Sequence, residues 1–97
     1  MKVMISQPMR NKTEEQIREE REWIVKELEN KGCVVIDTIF AEEPPKTSDR
    51  AMWYLAKSIE AMSEVDAVIF MEGWENARGC IVEHEVAKRY DKFIKYM

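Results

Sequence analysis

Four short apolar runs alternate with three longer segments of helical character, and this alternation narrows the possible folds more than any other feature. "KVMIS" (Lys2 to Ser6), "CVVIDTIF" (Cys33 to Phe40), "DAVIFM" (Asp66 to Met71) and the closing "KFIKYM" read as strands. The middle runs are almost continuously apolar, as expected of strands covered on both faces. Between them, "TEEQ" (Thr13 to Gln16) is a capping box that starts a helix running to Lys31, with Gly32 as its stop. A second helix is predicted from Arg50 to Ser63, with Met52, Leu55, Ala56, Ile59 and Met62 on its inner face. A third follows the "GWENARG" turn and reaches about Tyr90. "AEEPPKTSD" (Ala41 to Asp49) is a loop by composition. The order β-α-β-α-β-α-β predicts an α/β fold. It is a small open, mostly parallel sheet of about four strands flanked by three helices, Rossmann-like, in one domain over residues 1–97.

Composition excludes several functions. A 97-residue chain builds one core, so a sizeable cleft is expected to borrow a second copy, and a homo-oligomer is the expected assembly. The formal net charge of -4 argues against binding a nucleic acid polymer, which needs a basic excess. No apolar run is long enough to span a bilayer and the N-terminus lacks a signal-peptide pattern, so the cytoplasm is the expected compartment. Cys33 and Cys80 read as packed thiols. With His84 the single histidine, a multi-histidine metal site is out of reach, and neither metal nor cofactor is expected.

Chemistry must therefore rest on carboxylates, hydroxyls and backbone groups, and one carboxylate is out of place. On a helical wheel Gly79, Val82, Val86, Ala87 and Tyr90 share an arc, with Cys80 at its margin, and Glu83 falls inside it. Glu85 and Lys88 lie outside the arc, and so does His84, which is expected to be exposed and without a role. A carboxylate on a packed face needs a partner or a cleft. Arg78, Lys57 or backbone amides of the first loop are candidate partners. Near a helix N-terminus at the carboxyl edge of a parallel sheet, such a group is placed to act as a nucleophile or base. The first helix carries a thin stripe of Ile17, Arg21, Ile24 and Leu28, and Arg21 marks part of it as a possible subunit contact. Trp53 and Tyr54 cannot both enter the core.

The motif order "MKVMISQPM" followed by "SEVDAVIFMEGWENARGCIVEHEVA" resembles the nucleoside 2-deoxyribosyltransferase-like superfamily, over nearly the whole chain. Its most specific element is Gly, three residues, Glu, three residues, Ala, matched by Gly79, Glu83 and Ala87. The resemblance implies N-glycosidic bond chemistry on a deoxynucleoside or its 5′-monophosphate, with Glu83 as the nucleophile at C1′. It also implies that Ser6, Gln7, Met9 and Arg10 line the sugar and 5′ side. Ser58, Gly73, Trp74, Asn76 and Gly79 would complete the substrate site, with Trp74 over the base. Hydrolysis is expected over base transfer, because so short a chain offers little surface for excluding water. Ser58 stands where the family carries a second carboxylate, with Glu72 and Glu75 as substitute acids. Asn76 and Ala77 stand where it places an Asp or Ser. A non-catalytic nucleotide-binding module on the same scaffold is the alternative.

Overall fold

The computed structural model describes residues 1–46 and 48–97; Thr47, in the predicted loop, lies outside them. Strands β1 (Lys2–Ser6), β2 (Val34–Ile36), β3 (Ala67–Phe70) and β4 (Phe93–Tyr96) form one sheet in the order β2-β1-β3-β4. Every pairing is parallel, with Val3 opposite both Val35 and Ala67, and Ala67 opposite Phe93. Helices α1 (Glu14–Asn30), α2 (Arg50–Met62) and α3 (Arg78–Arg89) connect them, and a short 3-10 turn (Trp74–Asn76) precedes α3. The predicted α/β architecture is the one observed.

Strand alternation divides the core into two layers. Val3, Ile5, Ala67 and Ile69 face α1 and pack with Ile24, Val25 and Leu28. Met4, Val68 and Phe70 face the other way and pack with Ile59 and Met62 of α2 and Val86 and Ala87 of α3. The chain leaves β1 in one direction for β2 and returns past it to β3. Strand order therefore reverses beside β1, where open α/β sheets form their crevice.

Local chemistry sets the helix ends. Thr13 Oγ1 accepts from the Gln16 amide at 3.1 Å, while Gln16 Oε1 accepts from the Thr13 amide at 2.8 Å, the predicted box. Gly32, at φ +83°, closes α1 as the Gly32 and Cys33 amides donate to the Glu29 and Leu28 carbonyls. Asp49 caps α2 by accepting from the Met52 amide at 3.0 Å.

Several boundaries and faces differ from expectation. β2 covers only Val34–Ile36 of the predicted Cys33–Phe40 run. It is an edge strand, and Val34 is exposed rather than covered on both faces. In α2 only Met62 is buried, and Met52 and Ala56 are exposed; the helix joins the core through Ile59 and Met62 near its C-terminal end. In α3 the buried arc is Cys80, Glu83 and Ala87. Val82 and Tyr90, assigned to that arc from the wheel, are exposed, so the true face is rotated to centre on the carboxylate.

Ala87 is fully buried against the Met4, Val68 and Phe70 layer. Ala87→Leu is expected to lower stability by about 1–3 kcal/mol through overpacking. Urea denaturation should show a lower midpoint with an unchanged slope.

Candidate active site

Glu83 is 9% exposed, held by α3 over the carboxyl end of β1. Gly79 lies one turn earlier, where a Cβ would meet only Glu83 Oε1, at an ordinary contact distance of 4.0 Å. Burial pushes the Glu83 carboxyl up to about 7; the positive charge of Arg21 and the nearby Ser6 hydroxyl oppose that rise. Neither side-chain partner suggested by the sequence bears on Glu83. Lys57 lies 3.4 Å from Glu42 and over the Trp53 ring, and Arg78 is exposed.

Ser6 continues the face of Met4 and lies beneath Cys80 and Glu83, 1% exposed. Its Oγ makes no well-formed hydrogen bond, yet lies close enough to favour the ionised form of both neighbours. The Cys80 thiol is pushed up, chiefly by burial and further by Glu83. Gln7 alternates to the opposite face and is 4% exposed. Its Nε2 donates to the Ile17 carbonyl (3.0 Å) and to Glu20 Oε1 (2.9 Å). Its Oε1 accepts from Arg21 Nε at 2.8 Å.

Arg21 corrects the sequence reading. Suggested there as part of a subunit contact, it is 5% exposed inside this chain. Its Nη1 donates to Thr38 Oγ1 at 3.3 Å, and Nη2 is buried without a partner. Ser6 Oγ and Arg21 Nη2 are thus both unsatisfied, and both belong to side chains at the end of β1. A buried donor left unmade is unfavourable by roughly 1–3 kcal/mol. Ser6 Oγ faces Glu83, whereas Arg21 Nη2 lies on the α1 side of the sheet with Gln7.

The remaining sequence-predicted residues lie on the surrounding loops. Met9 and Arg10 are exposed, and neither is part of the buried network. Gly73, at φ +92°, forms the turn after β3; a Cβ there would sit 3.5 Å from Pro8 Cγ, so the first and third loops touch. Asn76 is exposed, Ser58 is half-buried on α2, and the substitute acids Glu72 and Glu75 are exposed. No second carboxylate bears on the charge of Glu83.

Trp74 is half-buried and already engaged. It stacks on His84 with centroids 4.1 Å apart, and it also meets Phe70 and Tyr96 at 5.5 and 5.8 Å. His84, expected to be exposed, is half-buried in this cluster, and its Nε2 lies 2.7 Å from the Tyr96 hydroxyl. The reason is the same rotation of α3 that centres Glu83, which carries the neighbouring position onto Phe70. Sequence reasoning thus missed Arg21, Thr38 and His84 as neighbours of the site. The signal for Arg21 was present as a basic residue inside an otherwise apolar stripe.

The raised Glu83 pKa has a definite sign in stability. Between about pH 4.5 and about 7 the native state keeps a proton that the unfolded chain has lost, so stability falls as pH rises through that window. Glu83→Gln removes the effect. At pH 8 it is expected to be more stable than the parent by up to about 3 kcal/mol. The gain should vanish below pH 4.5, and thermal melts across the range will show whether it does.

No helix is long and apolar enough to cross a membrane among the described residues. No curated protein and no solved structure shows a significant match to the chain. Residues 1–96 match the family described as "Domain of unknown function (DUF4406)", and the chain belongs to that family.

Proposed function

We propose that the protein cleaves or exchanges the N-glycosidic bond of a deoxynucleoside or deoxynucleoside 5′-monophosphate, with Glu83 as nucleophile. The observation that carries the reading is a single buried carboxyl, poised near neutrality, at the strand-order reversal of a parallel sheet beside the unsatisfied Ser6 hydroxyl. The likeness of the motif order to deoxyribosyltransferase-like proteins supports it.

The ionised carboxylate attacks C1′, the C1′–N bond breaks, and its electron pair leaves with the base, which takes up a proton. Water then attacks C1′ of the glycosyl ester, loses a proton, and returns Glu83 as a carboxylate. Ser6 sits next to Glu83 and can hold a sugar oxygen during both steps. Arg10, exposed on the first loop, is free to meet a 5′-phosphate with its forked donors. Trp74, stacked on His84, serves this reading as a fixed wall flanking the base.

The half-buried Ser58 favours a second reading, a nucleotide-binding module without turnover, since a serine hydroxyl cannot protonate a leaving base as a carboxylic acid does. Incubation with a panel of deoxynucleosides and their monophosphates, with chromatography of free base, separates the two. Release by the parent should fall by about a thousandfold or more in folded Glu83→Ala. The rate should rise with pH through a midpoint of about 7, as the nucleophile ionises. Thermal stabilisation by ligand without release would instead establish the binding module.

A further inference from the structure

Two helices on opposite faces of the sheet each carry one charged residue inside an apolar stripe, and the charges have opposite sign. Arg21 interrupts Ile17, Ile24 and Leu28 on α1, and Glu83 lies between Cys80 and Ala87 on α3. Both are buried, and neither has a contact ion pair in this chain. Their nearest common element is the end of β1, where Ser6 turns towards one helix and Gln7 towards the other.

We infer that Arg21 is a positioning residue of this site: clamped by Gln7 and Thr38, it supplies the fixed positive charge that stands opposite Glu83 across the end of β1. The inference deepens the reading of Glu83 as the reactive group, but its test does not depend on turnover. The clamp consists of neutral acceptors. Gln7 Oε1 holds Nε at 2.8 Å, and Thr38 Oγ1 holds Nη1 at 3.3 Å. Each clamp is secured in turn: Gln7 by the Ile17 carbonyl and Glu20, and Thr38 by donating to the Ile5 carbonyl at 3.4 Å. Glu20 is itself tied to Lys12 at 2.9 Å. The guanidinium is therefore oriented without being neutralised.

A buried cation of this kind needs a compensating charge. The exposed Asp37 contributes, but its carboxylate lies 3.3 Å from Arg18. The groups that bear on Glu83 are Arg21 from α1 and the Ser6 hydroxyl from β1, with the Cys80 thiol beside it on α3. No charge from α2, β3 or β4 does so. Removing Arg21 leaves the carboxylate facing only neutral groups, so it ionises at higher pH.

The test is a carbon NMR titration of protein labelled with δ-13C glutamate, the Glu83 signal being the one absent from Glu83→Gln. Arg21→Met is expected to raise the Glu83 midpoint by about one pH unit or more, and Arg21→Lys to retain most of the parent value. An unmoved midpoint in folded Arg21→Met overturns the inference, as does a Lys variant that shifts as far as Met. Should Arg21→Met fail to fold, Thr38→Val, which frees Nη1, must shift the midpoint upward; no shift overturns the inference equally. In the base-release assay the alkaline displacement of the pH–rate profile should follow the NMR midpoint, with kcat affected more than KM. Shifted midpoints without base release from any variant would uphold the pairing and sink the glycosidic reading alone.

Discussion

Everything around the site depends on how closely α3 approaches the end of β1. Ala87 lies flush against the core layer, so the helix settles low on the sheet. That proximity removes Glu83 from water and raises its proton affinity. It also brings the carboxyl within range of a charge on the other side of the sheet. A larger residue at Ala87 would overpack that layer and disturb the approach.

The alternation of apolar runs and helical segments was sufficient to read the architecture, because parallel strands and their crossovers admit few arrangements. Edges were less legible. β2 shrinks to three residues because an edge strand is held from one side only, a fact that hydropathy does not encode. Glu83 was legible as an anomaly, since Gly79 and Ala87 bracket it at helical spacing. The rotation of the buried arc was not: Val82 and Tyr90 are apolar, yet they face outward. Apolar character marks residues able to be buried, whereas the neighbouring elements select which of them are.

Arg21 illustrates a different limit. Its place in the α1 stripe was visible, but a lone basic residue there reads as a surface feature until its acidic counterpart is found on another helix. Periodicity treats each helix separately, and the pairing of Arg21 with Glu83 exists only once the sheet brings α1 and α3 around β1. His84 was misread for a related reason. Its environment is built from Phe70, Trp74 and Tyr96, which come from two strands and a turn. The Trp74 turn is anchored by these rings, and the first and third loops meet where Gly73 lies against Pro8.

The central place of β1 governs the order in which such a molecule can assemble. Its first partner, β2, follows after one helix, but its second, β3, lies beyond two helices. The residue that covers Ser6 comes later still, on α3. Contacts of such long sequence separation form slowly, since the intervening chain must be confined before they bring any gain. The acid therefore remains hydrated through the early stages of folding and loses its water only when the last βα unit docks. The electrostatic penalty of burying Glu83 belongs to that final closure.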